Sequence, residues 1–139
     1  MTRGIQDERD LVQLLWKRGF AVMRAPASGA ATRMPRPDIV AGNSEREVQF
    51  AIEVKTTHDD KLYIARESIV QLMDFAQRFG CQPIVAIKFK GGGKPWLFLK
   101  PQQLAITPAV NFKITLTEAL REGMDFKTLI REGKQMKLP

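Results

Sequence analysis

Val48-Gln49-Phe50-Ala51-Ile52-Glu53-Val54-Lys55-Thr56-Thr57 alternates as a β-strand does. Phe50, Ile52 and Val54 fall on one face and Ala51, Glu53 and Lys55 on the other, because successive side chains of a strand point to opposite sides. The first face is core. The second sets a carboxylate and an ammonium side by side next to a small alanine, a pairing that a solvated sheet face also carries. Upstream, Pro37-Asp38-Ile39-Val40-Ala41 is a short apolar run that opens on a proline and an acid and ends at the turn signal Gly42-Asn43-Ser44. Paired beside the first strand, it brings Asp38 near Glu53 and Lys55. Two hard oxygen ligands and one cation in a single pocket suit Mg²⁺, with Mn²⁺ as a substitute, since these ions prefer carboxylate, water and phosphate oxygens.

Apolar residues from Ile5 to Arg18 recur at helical spacing, and Gly19 is placed to end the helix. Glu8 lies three, four and seven residues before Leu11, Val12 and Leu15, on the face expected to dock onto the sheet. A carboxylate there is costly to bury without a compensating cation. Either it sits at a wet first turn, helped by the helix dipole, or it is a third carboxylate aimed at the pocket of Asp38 and Glu53. Arg9 points off that face, as a solvated charge or a phosphate contact. Phe20 to Arg24 reads as a strand. The segment from Ala25 to Pro37 is a loop of Ala, Pro, Ser and Gly that carries Arg33 and Arg36 and no acid. Loops of about a dozen irregular residues are uncommon in compact domains unless they function, so this one reads as a grip on a phosphate backbone, with Ser28-Gly29 offering a hydroxyl and a close backbone approach.

Past Thr57, His58-Asp59-Asp60-Lys61 is a polar turn, and the lone histidine reads as an exposed turn residue rather than a general base. Arg66 to Phe79 repeats Ile69, Leu72, Met73, Ala76 and Phe79 at helical spacing, closes at Gly80, and has Phe75 on a neighbouring line. Such a helix has either a wide buried stripe or a face left for a subunit contact. Ile84 to Ile87 is an unbroken apolar run, as expected for a strand buried on both faces. Gly91-Gly92-Gly93-Lys94 lacks phosphate-loop spacing and reads as a hairpin turn into Trp96-Leu97-Phe98-Leu99. Farther on, Phe112 to Ile114 suggests a strand, Thr115-x-x-Glu118 a capping box that opens a helix, and Asp125 to Arg131 a last short helix.

The 139 residues are 44% hydrophobic and show no repeat, which fits one domain over 1–139 with its own core. With 22 Lys+Arg against 15 Asp+Glu the formal net charge is +7, which favours a polyanionic partner. No stretch is apolar for long enough to span a bilayer and the N-terminal residues lack a secretory signal, so the expectation is a soluble, intracellular, cytoplasmic protein without a membrane partner. A lone Cys81 makes no intramolecular disulfide and reads as a small buried hydrophobe. If Glu8, Asp38 and Glu53 hold a divalent ion beside Lys55, the parts suffice for phosphodiester hydrolysis without a nucleophilic serine or cysteine.

Pro37-Asp38 with Glu53-Val54-Lys55 resembles the PD-(D/E)xK nuclease motif. Together with Gly4-x-x-x-Glu8-Arg9-Asp10-Leu11, Gly19-Phe20-x-Val22-x-Arg24, Leu62-Tyr63-Ile64 and Phe75-x-x-x-Phe79-Gly80, the order and spacing are similar to those of the archaeal Holliday junction resolvases of the Hjc family, from about Gly4 to Phe98. The resemblance implies a restriction-endonuclease-like α/β fold with a central mixed sheet flanked by helices. It also implies a homodimer that nicks opposite strands of four-way junction DNA symmetrically. On it, Glu8, Asp38 and Glu53 are metal ligands, Lys55 is catalytic, Arg9, Arg24 and Ser28 handle the substrate, and Phe75 and Phe79 lie in the dimer contact. Gln135-x-x-Leu138 has two residues of a sliding-clamp peptide without its aromatic pair. A nuclease for ordinary duplex or flap DNA, and a basic DNA-binding module without catalysis, are the competing readings.

Overall fold

The computed structural model describes residues 3–26 and 34–135. Helix α1 (Arg3–Lys17) leads into β1 (Ala21–Arg24), β2 (Ile39–Asn43), β3 (Val48–Thr57) and β4 (Lys61–Ile64). Helix α2 (Arg66–Phe79) follows, then β5 (Gln82–Phe89), β6 (Leu97–Leu99) and a 3₁₀ turn at Pro101–Gln103. The chain ends through β7 (Ala105–Ile106), β8 (Phe112–Thr115), α3 (Leu116–Glu122) and α4 (Phe126–Gln135).

Alternation on β3 sets the layers. The main sheet runs β1-β2-β3-β5-β6, with β3 in the middle, antiparallel to β2 and parallel to β5. Phe50, Ile52 and Val54 on one face of β3 join Leu11 and Leu15 of α1 and Leu129 and Ile130 of α4 in one core. Ala51, from the other face, joins a second core with Ile69, Leu72 and Ala76 of α2. The Ile84 to Ile87 run of β5 serves both cores in turn and is fully buried. This is the mixed, helix-flanked sheet that the sequence leads one to expect.

Local chemistry places the ends. Gly80 closes α2 in the left-handed conformation at φ 85°, donating its N–H to the Ala76 carbonyl at 2.9 Å. Thr115 caps α3 with the expected reciprocal box, its hydroxyl accepting from the Glu118 amide at 3.1 Å while Glu118 accepts from the Thr115 amide at 2.9 Å. A second, three-stranded sheet, β4-β8-β7, was not anticipated: Lys61–Ile64 pairs antiparallel with Phe112–Thr115 far along the chain. Among the described residues no helix is long and apolar enough to cross a membrane.

The C-terminal helix is part of the core, since Leu129 is fully buried against the β3 side of the sheet. Leu129→Ala is expected to lower the unfolding free energy by roughly 2–5 kcal/mol in denaturant titration. A loss under about 0.5 kcal/mol, the size typical of a surface change, would show that α4 is an appendage.

Candidate active site

Asp38 stands where β2 leaves β3. Its N–H donates to the Ile52 carbonyl at 3.1 Å and its carbonyl accepts from the Ala25 amide at 2.8 Å, so its backbone is held by both neighbouring strands. Its side chain accepts the Val54 N–H on Oδ2 at 2.8 Å, in place of a strand carbonyl. On β3, next to this break, Glu53 and Lys55 share the face opposite the Phe50 core, with Lys55 Nζ 3.5 Å from Glu53 Oε2. Glu8 reaches the same neighbourhood from α1 and lies 3.5 Å from the Arg24 guanidinium on β1. Four elements thus converge: α1, β1, the start of β2 and the middle of β3.

The electrostatics fit a shared pocket. Burial is the largest cause raising each of the three carboxyls. For Glu53 the Asp38 charge adds to burial, Lys55 opposes it, Glu8 contributes further, and the carboxyl is pushed up to about 7. The Asp38 carboxyl is raised by burial against the Val54 N–H and Lys55, both of which favour its charged form. Glu8 is raised by burial and by Asp38, and pulled back by Arg24. Among the described residues, no three acidic, histidine or cysteine side chains are drawn tightly enough together to form a metal cluster as they stand. Glu8 instead leans on Arg24 and Glu53 on Lys55. The donor set nevertheless fits a hard divalent ion, because partly desolvated carboxylates that repel one another are the groups such an ion would relieve.

The other sequence candidates separate. Arg9 is exposed on α1, and Arg36 is half-buried just before Asp38. Ser28 and Arg33, and the 136–139 end of the clamp-like segment, lie outside the described residues. His58 is exposed in its turn and Cys81 is half-buried. Phe75 and Phe79 stack with ring centroids 5.4 Å apart and line an open groove of about 440 Å³ with Met34, Pro35 and Arg78. One residue was missed. Asp7, not Glu8, is the acid that α1 buries deepest, at 5% exposure and 3.0 Å from Lys90 Nζ. It lies on the Leu11–Leu15 line of the helix, four and eight residues before them, which was the available signal.

The Glu53 shift fixes a pH dependence. Unfolded, the carboxyl ionises near its ordinary 4.5; folded, it holds its proton to about 7. Its folded form is therefore not penalised below pH 4.5 and loses stability as the pH rises towards 7. With chelator present, Glu53→Gln should flatten that fall and be the more stable protein at pH 8 by on the order of 2–3 kcal/mol. Parallel stability curves for the two proteins would contradict the burial of this charge.

Comparison with known proteins shows which family the chain resembles over its length. A sequence profile of the archaeal Holliday junction resolvases (Hjc) matches residues 1–138. A crossover junction endodeoxyribonuclease Hjc of Archaeoglobus fulgidus is 42% identical over 113 residues, 81% of this chain and 79% of its own. Those of Sulfolobus acidocaldarius and Methanocaldococcus jannaschii are 38% and 36% identical, covering 96% and 98% of this chain and 91% and 92% of theirs. The solved structure of A. fulgidus Hjc, described as a Holliday junction resolvase from an archaeal hyperthermophile, superposes with a TM-score of 0.81 at 37% identity. The match covers 91% of this chain and 99% of that one, so the sheet and its helices are a restriction-endonuclease-like fold. With a profile that spans nearly the whole chain and relatives aligned along most of their length, the protein belongs to the Hjc family of archaeal Holliday junction resolvases.

Proposed function

We propose that this chain is a divalent-metal-dependent endodeoxyribonuclease that resolves four-way DNA junctions by phosphodiester hydrolysis, a step in recombination and repair. The observation that carries the reading is the half-buried, mutually repelling pair Asp38 and Glu53 beside Lys55, at the break between β2 and β3. The names of the relatives, crossover junction endodeoxyribonucleases, support the substrate.

Glu8, Asp38 and Glu53 would hold Mg²⁺ or Mn²⁺, which when bound supplies Lewis-acid stabilisation of the phosphodiester and acidifies water. The remaining work falls to the chain. Asp38 keeps one oxygen on the Val54 N–H and offers the other to the site. Lys55, next to Glu53, orients the attacking water and offsets charge growing on the phosphate. Arg24, 3.5 Å from Glu8, would offer its guanidinium to a phosphate oxygen beside the site. Arg9 and Arg36 contact the DNA backbone, and Arg33 and Ser28, which lie outside the described residues, are assigned the same role from the sequence, as expected of recognition by shape rather than by base sequence.

Two nicks on opposite strands require two sites, and a two-fold homodimer matches the approximate two-fold symmetry of the junction. The face that supports such a dimer is the outer side of α2. There the Phe75–Phe79 stack, with Phe79 56% and Met73 49% exposed, leaves apolar surface in contact with water.

An end-labelled four-way junction, incubated beside a duplex of the same sequence with Mg²⁺ or EDTA, tests the activity. Paired nicks in the junction alone are expected, abolished by EDTA and reduced by roughly 10²-fold or more in Asp38→Asn. Equal cutting of the duplex would retain the nuclease and remove the junction preference, whereas no cutting of either would leave a DNA-binding module. For the dimer, Phe75→Ala/Phe79→Ala should sediment as a monomer while the native protein sediments as a dimer; a native monomer would overturn the assembly.

A further inference from the structure

Asp7 is the one charged residue buried to this degree among the described residues, and its partner comes from the far side of the chain. Lys90 Nζ donates to Asp7 Oδ2 at 3.0 Å, with the two side chains 30% and 8% exposed. Lys90 is itself fixed by its backbone, its N–H donating to the Thr57 carbonyl at 2.7 Å. That bond continues the parallel pairing of β3 with β5, which ends at Thr57 and Phe89. The contact therefore links the strand pair that carries Glu53 and Lys55 to the helix turn that carries Glu8, the residue next to Asp7.

Apolar contacts are non-directional, so Leu11 and Leu15 hold α1 against the sheet without fixing its rotation or slide to a fraction of an ångström. A charge-assisted hydrogen bond has a required length and angle. Placed at the α1 turn that bears Glu8, it removes that freedom where it matters for a ligand, since donor groups must be held within about 0.5 Å of the working geometry. An ion pair with one buried member, as here, is otherwise a poor stabilising device, since the cost of desolvating the buried charge offsets much of the attraction. A positional role explains its presence here where stability does not.

We propose that Asp7 and Lys90 form a positioning pair that sets where Glu8 stands relative to Glu53 and Lys55, and so tunes the affinity of the site for its divalent ion. The inference rests on Glu8 being a ligand. Neither residue touches DNA or metal in this role. Lys90 acts through Asp7, and Asp7 acts through the helix.

Three variants separate position from stability. Lys90→Met leaves a buried carboxylate alone and should lower the unfolding midpoint. The apolar pair Asp7→Leu/Lys90→Met should recover the midpoint but not the tie. Lys90→Arg, which can restore the charge pair, serves as the conservative rescue. Mn²⁺ binding by calorimetry, without DNA, and the Mg²⁺ concentration giving half-maximal junction cleavage are read for each, alongside Glu8→Gln.

The expected result is a metal affinity weakened roughly tenfold in both methionine variants, including the thermally recovered double variant, and largely restored in Lys90→Arg. Wild-type affinity and half-maximal Mg²⁺ in the double variant, with Glu8→Gln impaired, would reduce the pair to a structural strut and leave the Glu8 reading intact. Unchanged metal binding in Glu8→Gln would remove Glu8 from the site and the positioning proposal with it.

Discussion

The site depends on one hydrogen bond that a side chain takes from a strand. Regular pairing of β2 with β3 stops at Ile39 and Ile52, and the next amide on that side of β3, Val54, donates to the Asp38 carboxylate at 2.8 Å. The strands can part there without leaving a buried N–H unpartnered. The break leaves space beside Glu53 and Lys55, and the bond that makes it tolerable also favours the ionised form of Asp38. Because Ala25 and Ile52 clamp the Asp38 backbone from either side, the carboxylate has little freedom to turn away.

The carboxylates near that break oppose stability, and the rest of the molecule offsets them. Glu53 sits on the middle strand of the sheet, where burial and the charge on Asp38 both resist its ionisation. Lys55 and Arg24 answer these charges in part, at 3.5 Å rather than in close bidentate pairs. A tighter match would neutralise the acids more fully and leave them less ready to exchange partners. The stabilising surface lies elsewhere, in β5 buried on both faces and in two cores to which its residues contribute in turn. Sites of this kind are where local stability is traded for reactivity.

Much of this was legible in the sequence because it is local. The period of two on Val48 to Thr57 fixes which residues face the core, and Pro37-Asp38 before an apolar run fixes where the acid enters. Helix ends at Gly19 and Gly80 and the Thr115 cap follow from single residues. What stayed hidden is non-local. Asp7 and Glu8 both border the apolar stripe of α1, and although helical spacing favours Asp7 for burial, its partner Lys90 stands 83 positions along the chain. The β4-β8-β7 sheet eluded the same reading because its strands are two to four residues long and their pairing is set by packing rather than pattern.

The residues after Pro101, beyond the motifs that carry the resemblance in the sequence but within the span of the family profile, also bear on the chemistry. Met124 exchanges two backbone hydrogen bonds with Phe98 at 2.8 and 2.9 Å, tying the chain before α4 to β6. Leu129 and Ile130 then pack on the same core face as Phe50, Ile52 and Val54. Strand side chains alternate, so a slip of β3 by one residue would turn Glu53 and Lys55 into that core and Phe50 and Val54 out towards the site. The slip is prohibitive in proportion to the apolar surface that faces Phe50, Ile52 and Val54. A helix that adds to that surface therefore helps hold the register on which the placement of the carboxylates depends.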